Sequence, residues 1–296
     1  MDATPLSWTP ETVQRFWEYW ASRPDRHTTY FAYQVGKGVC KFLEHLGPLA
    51  GRQVLDYGAG PGYLVEPLLR RGAEVSAIEY SESTVSELNH RFRRERGWHG
   101  ARTFQQTRLP WDDAAFDLVV CLETIEHLLP DDLNPVLREL LRVVRPGGTI
   151  VLTTPNSENL RAQAVFCPNC ACEFHRWQHV RRWTEASLCG HLTELSYAVE
   201  FCRGLSFHDF QPAPLRARDF LRPKTWRRLA GEISAQMSDR INHRTFPETR
   251  AFERKLRSSS GQHLVAVARK PVSDATDRTM QYAGLAVQES TEPRAA

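Results

Sequence analysis

Three stretches of this chain gather residue types that can do chemistry. The first is Val54-Leu55-Asp56-Tyr57-Gly58-Ala59-Gly60-Pro61-Gly62. Its apolar start reads as a strand, and its glycines let the backbone turn sharply and pass close to a ligand. A G-x-G-x-G turn alone is shared with dinucleotide-binding proteins. Two acids separate the readings. Asp56 precedes the glycines, where a carboxylate suits a cationic amino-acid moiety better than a pyrophosphate. Glu79 closes the next apolar run, where an acid can accept both hydroxyls of a ribose. The second stretch is Glu123-Thr-Ile-Glu126-His127, whose spacing puts both carboxylates on one side of a helical turn. Hard oxygens with one or two imidazoles suit Mg²⁺, Mn²⁺ or Zn²⁺; the histidine could equally act as a base or simply line a pocket. The third is Cys167-Pro-Asn-Cys170-Ala-Cys172-Glu-Phe-His175. One C-x-x-C knuckle with further soft ligands points to structural Zn²⁺ held by Cys167, Cys170, Cys172 and His175, with Cys189, Cys202 or His208 as alternative ligands. The bland alternative is a loop of reduced thiols.

These groups need elements to hold them. From residue 53 onward, short apolar runs alternate with amphipathic stretches. QVLDYG, EVSAIEY, RTFQQ (weakly), FDLVVCLE, GGTIVLTTPN, SYAVEFCRGLSF and HLVAVARK read as strands. YLVEPLLRRG, SESTVSELNHRFRRERG, DLNPVLRELLRVV and TEASLCGHLTEL read as helices, the last opened by Thr184 with Glu185 in its first turn. Strands alternating with helices imply right-handed crossovers and a mostly parallel sheet. The fold class expected is therefore α/β, Rossmann-like, with helices on both faces. Residues 1–49 read as an N-terminal helical cap, two helices split at Pro24, with Trp17, Trp20, Phe31, Val35, Val39, Phe42 and Leu46 at helical intervals. The main domain spans 50–271. It carries a Cys/His-rich insert at 155–183 and a polar, basic insertion at 208–260 expected to cover the site like a lid. Residues 272–296 are small, polar and unpatterned, as in a disordered tail.

Composition narrows the classes. The chain has 296 residues, 41% hydrophobic and 25% charged, so a core can be buried. A net charge of +3 is too mild to argue for nucleic acid by itself. The acid-bearing N-terminus lacks the apolar core of a signal peptide, and no run of about 18 apolar residues exists to span a membrane. A soluble, cytoplasmic protein without a membrane partner is expected. Seven cysteines, three within six residues, then suggest metal or redox chemistry more than a disulfide framework.

VLDYGAGPGYL, the acid in AIEYS, LPWDDAAFDLVVC and LLRVVRPGGTIVLTTPN resemble the successive motifs of class I S-adenosylmethionine-dependent methyltransferases, in that family's order and spacing. The resemblance is firm over about 50–155. It implies a seven-stranded sheet and S-adenosylmethionine as cofactor. Asp56, Gly58, Ala59, Gly60 and Gly62 would lie at the methionine end, and Glu79 with Tyr80 at the ribose. Gln105 or Gln106 would lie by the adenine, where relatives often carry an acid, and Cys121 and Leu122 would line the pocket. E-x-x-E-H resembles a motif of two subfamilies, the ubiquinone-pathway O-methyltransferases and the small-RNA 3′-terminal 2′-O-methyltransferases. In the latter a histidine beyond the T-P-N strand completes the ligands. That resemblance implies a divalent cation, Mg²⁺ or Zn²⁺, on Glu123, Glu126, His127 and His179, with Glu126, His127 and His179 at the chemistry. His175 in place of His179 is the alternative.

The leading expectation is O-methylation of a small-molecule or glycan hydroxyl. RNA 2′-O-methylation is the runner-up, with Arg161, Arg176, Arg181 and Arg182 available for phosphates. A non-catalytic binding protein on the same fold is the third reading.

Overall fold

Apolar pattern and turn chemistry produce alternating strands and helices in the computed structural model, which describes residues 3–104, 108–211, 223–241, 246–249, 252 and 261–272. In chain order the elements are β1 (Thr4–Pro5), α1 (Pro10–Ser22), α2 (Phe31–Leu43), β2 (Gln53–Tyr57), α3 (Val65–Leu69), β3 (Glu74–Glu79), α4 (Glu82–Phe92), β4 (Trp98–Thr103), β5 (Phe116–Leu122), α5 (Pro130–Val143), β6 (Val144–Pro155), β7 (Ala164–Phe166), β8 (Cys172–His175), α6 (Glu185–Glu194), β9 (Ala198–Leu205), α7 (Pro223–Ile241) and β10 (His263–Arg269). Among the described residues no helix is long and apolar enough to cross a membrane.

Seven strands form one sheet in the order β4-β3-β2-β5-β6-β10-β9. β10 runs antiparallel to both its neighbours and the other pairings are parallel. The central strands are buried on both faces, which is why they read as near-continuous apolar runs. Alternation along β2 sends Val54 to the face covered by α2, α3 and α4, and Leu55 to the face covered by α5 and α6. The strand order reverses between β2 and β5, and ligands of open α/β sheets bind at such a switch point, beyond the carboxyl ends of the strands.

Three expectations change, and one segment left open by the sequence gains a form. The segment 1–49 is not one cap. α1 lies over the sheet's carboxyl edge, but Val35, Val39, Cys40, Phe42 and Leu43 of α2 are fully buried, so α2 is a layer helix of the core. The weak strand expected from Arg102 begins earlier, at Trp98, whose ring packs on Phe92. The insert 155–183 is ordered: β1, β8 and β7 make a small separate sheet, where Trp8 meets Phe174 and Phe16 edge to face. Finally, Phe210 and Phe252 of the 208–260 stretch are buried in the core and not placed over the site as in a lid. Phe210 and Phe252 pack around Phe42, with Phe207 beside them. The tail from residue 273 lies outside the described residues.

Gly38 is the tightest joint between α2 and the 3₁₀ turn Phe207–Phe210. A Cβ there would stand 2.1 Å from the Phe207 carbonyl oxygen, so one backbone must retreat. Gly38→Ala should lower stability by about 1–3 kcal/mol despite alanine's better helix propensity, read as a lower urea midpoint. An unchanged midpoint would contradict the packing.

Candidate active site

At the carboxyl edge of β2, β3 and β5 lies a cavity of about 390 Å³. Asp56, Gly58, Ala59, Gly60, Glu79, Tyr80 and Leu122 line one part of it, and Glu123, Glu126, His127 and His179 another. Two described residues expected at the cofactor are not in this wall. Gly62 lies under α4, where a Cβ would meet Leu88 and Phe92 at 2.6 and 2.7 Å, so it serves close packing. Cys121 alternates to the opposite face of β5, among Leu55 and Val119. Gln106, like Gln105, falls outside the described residues.

The cofactor part is built around buried negative charge. Asp56 is 2% exposed and its Oδ2 has no hydrogen-bond partner. Burial first, then the nearby Glu79, push its pKa up to about 7. Glu79 is turned onto the glycine loop: Oε2 accepts from the Gly60 N–H at 2.7 Å and Oε1 from the Tyr80 N–H at 2.8 Å. Burial raises its pKa although these bonds oppose the rise. Gly58 has φ 77°, and a Cβ there would stand 2.5 Å from the Thr124 hydroxyl, so the cradle admits only glycine.

The second part gathers carboxylates and imidazoles. Ligand atoms of Glu126, His127 and His179 lie within 4.8 Å of one another. Glu126 is 1% exposed with neither carboxylate oxygen hydrogen-bonded; burial, then Glu123, raise its pKa well above the usual range. Burial, then His179, hold the His127 pKa down to about 3, so the ring is neutral at pH 7. Glu123 falls outside that trio. It sits at φ 45°, a left-handed conformation uncommon for a non-glycine residue, with Oε2 3.1 Å from His263 Nδ1 and Oε1 unpartnered.

His175 does not join the cysteines. Its side chain is buried at the base of the β7–β8 hairpin, with Nε2 3.3 Å from Glu158. The three cysteines lie at the other end, where the Cys172 thiol donates to the Cys170 carbonyl at 3.7 Å. The N–H groups of Cys170 and Asn169 pull the Cys167 thiol below its usual pKa.

Sequence reasoning passed over Gln178, Glu158 and His263. Gln178 is fully buried at φ 60°; its Oε1 accepts from Trp17 Nε1 at 3.0 Å and its Nε2 donates to the His127 carbonyl at 2.8 Å. It thereby pins α1 over the site, with the Trp17 ring edge-on to His127 at 4.9 Å. Glu158 sits just past T-P-N at the sheet edge, a position that could have flagged it. His263 begins β10 opposite Pro155, and only the antiparallel return of that strand puts it here.

Residues 55–152 match a family model described as a methyltransferase domain. A Mycolicibacterium smegmatis protein named "Probable S-adenosylmethionine-dependent methyltransferase" is 33% identical over 169 residues, 57% of this chain and 60% of that protein. The ubiquinone biosynthesis O-methyltransferase of Acinetobacter baylyi is 28% identical over 159 residues, 51% of this chain and 64% of that enzyme. The chain thus spans less than two thirds of the length of either curated relative. Burkholderia thailandensis 1,6-didemethyltoxoflavin-N1-methyltransferase, solved with S-adenosylhomocysteine and 1,6-didemethyltoxoflavin, superposes with a TM-score of 0.55 over 92% of this chain and 94% of that one, at 19% identity. That likeness is one of fold.

The raised Asp56 pKa sets a pH dependence. Below pH 7 the carboxyl is largely protonated in the free protein, and a cationic ligand must displace that proton. Affinity for S-adenosylhomocysteine, whose amine is cationic, should therefore rise as pH increases from 6 to 8, by up to about tenfold per unit below the pKa. Asp56→Asn should bind more weakly with a flat profile. Calorimetry at several pH values checks this; a flat wild-type profile would contradict it.

Proposed function

We propose that this chain is an S-adenosylmethionine-dependent O-methyltransferase acting on a hydroxyl of a small molecule or glycan, assisted by a divalent cation. The observation that carries the reading is one continuous cavity joining an unpartnered buried acid and a glycine-only cradle to a carboxylate–imidazole cluster.

The residues fit both absent groups. Asp56 Oδ2 would take the cofactor's ammonium, the backbone at Gly58 and Gly60 would follow its methionine end, and Glu79 with Tyr80 would face the ribose. Bound there, S-adenosylmethionine supplies an electrophilic methyl on a sulfonium. Glu126 brings two unpartnered oxygens, Glu123 one, and His127 an unpartnered Nδ1 on a neutral ring. With His179 they suit a divalent cation, which lowers the pKa of an acceptor hydroxyl. The protein's part is to orient that hydroxyl, exclude water and accept its proton. Trp17, Trp20 and Trp177 give the acceptor flat apolar walls, suited to an aromatic ring or a sugar face. The O-methylation named for the ubiquinone-biosynthesis relatives is compatible with such walls.

RNA is not supported. Among the described lining residues none is Lys or Arg, whereas Asp56, Glu79, Glu123, Glu126 and Asp132 are acids, an unfavourable setting for phosphates. Arg181 instead donates to the Ile125 carbonyl, and Arg176 lies over Trp177. Separately, Cys167, Cys170 and Cys172, without His175, are the proposed thiolate ligands of a structural zinc.

Methyl transfer to catechol-type and sugar acceptors should fall at least 100-fold on treatment with chelator and return with Mg²⁺, Mn²⁺ or Zn²⁺. Glu126→Gln should show the same loss while its affinity for S-adenosylhomocysteine stays within about threefold of wild type. Equal losses of turnover and cofactor affinity, or activity indifferent to chelator, would contradict the cation's role. Elemental analysis of the same protein should find zinc that Cys170→Ser lacks.

A further inference from the structure

Glu158 stands between two imidazoles just outside the cavity wall. Its Oε2 is 2.5 Å from His179 Nδ1 and its Oε1 is 3.3 Å from His175 Nε2. The two rings stack, with centroids 4.3 Å apart and planes 20° apart. Each proton in this group can be placed from hydrogen-bond roles alone.

A carboxylate has no donor, so its close contact with His179 Nδ1 requires the proton on that nitrogen. His175 is fixed from its other side. Its Nδ1 faces the backbone N–H groups of Trp177 at 3.3 Å and His179 at 3.2 Å, and both can only donate. His175 Nδ1 is therefore an acceptor, and the proton of the neutral ring sits on Nε2, towards Glu158. Glu158 thus accepts from His179 Nδ1, and the His175 Nε2–H lies 3.3 Å from its other oxygen.

Consequences follow for His179. With the proton held on Nδ1, a neutral ring keeps its lone pair on Nε2, the nitrogen on the side away from Glu158. His179 lines the cavity, and its ring lies 4.7 Å from that of His127. We infer that Glu158, braced by His175, is a positioning residue that holds His179 in the tautomer presenting its Nε2 lone pair to the acceptor half of the cavity. Such carboxylate–histidine pairs fix ring orientation and raise basicity wherever an imidazole must bind a cation or take a proton. The inference rests on the proposed function only for what receives the lone pair; the tautomer itself does not depend on it.

Proton placement also decides against a second cation here. Ligand atoms of Glu158, His175 and His179 lie within 4.8 Å of one another, as cation ligands could. His175 would have to bind through Nε2, and that nitrogen has no free lone pair while Nδ1 accepts two N–H groups.

Long-range ¹H–¹⁵N correlation spectra of the full-length protein at pH 7.5, without added cation, test the inference. His175→Gln and His179→Gln provide the assignments. In wild type, His179 should carry its single proton on Nδ1 and His175 on Nε2. In Glu158→Leu, which removes the acceptor, the His179 proton should no longer be held on Nδ1. Affinity for Mn²⁺ should then fall about 10–100-fold, with affinity for S-adenosylhomocysteine within twofold of wild type. A wild-type His179 protonated on Nε2, or on both nitrogens, would overturn the inference, as would an unchanged tautomer in a folded Glu158→Leu. The wild-type spectrum decides the matter even if the variant does not fold. The expected tautomer in a protein indifferent to chelator would support this inference while removing the cation from the proposed function.

Discussion

Buried negative charge without a matching positive charge governs this site. Asp56 and Glu79 end neighbouring strands with no Lys or Arg among the described cavity residues, and Glu123 and Glu126 repeat the arrangement at the end of β5. Taking carboxylates out of water costs several kcal/mol each unless a partner is supplied. Protonation is one answer, and burial favours it by raising the pKa of both Asp56 and Glu126. A cation arriving from outside is the other. A sulfonium-bearing amino acid at one end and a divalent ion at the other would each bring the missing charge to the acid pair it meets.

The scaffold holds that charge by ordinary means. Parallel strands buried on both faces bring β2, β3 and β5 to a common edge. The glycine loop stays close to β5 because Gly58 leaves room for Thr124. The acceptor wall is held differently. α1 is tied to the 175–179 segment through Trp17, Gln178 and His127, and to the small β-sheet through Trp8, Phe16 and Phe174. On the proposed function, acceptor choice would depend on segments outside the matched residues 55–152, which supply Trp17, Trp20 and Trp177. The 175–179 segment presents His179, and Glu158, just past β6, meets its Nδ1 from the other side.

Much of this was legible in the sequence where a pattern is local. The strand–helix alternation, the Thr184 cap, the split at Pro24, and the roles open to Asp56 and Glu79 all follow from residues near one another in the chain. What escaped depends on distant pairing. Strand alternation turns Cys121 away while admitting Leu122, and the face each takes is settled only by the helices packed on either side. β1 could not be foreseen, since two residues become a strand only by pairing with β8, some 170 positions on. His175 resembled a fourth zinc ligand because it follows three cysteines closely, yet a four-residue strand carries it to the opposite end of its hairpin. The 208–260 stretch looked like a lid because its composition is polar, yet its Phe210, Phe246 and Phe252 pack against Phe42 of α2.

The central claim is that the cavity is shaped for a cationic amino-acid nucleoside. A crystal structure of the full-length protein grown with S-adenosylhomocysteine tests it most directly. The ligand is expected in this cavity, with its ammonium on Asp56, its ribose hydroxyls at Glu79 and its sulfur directed toward Glu126, His127 and His179. Density elsewhere, a ligand reversed so that adenine meets Asp56, or no binding at saturating concentration would contradict the account.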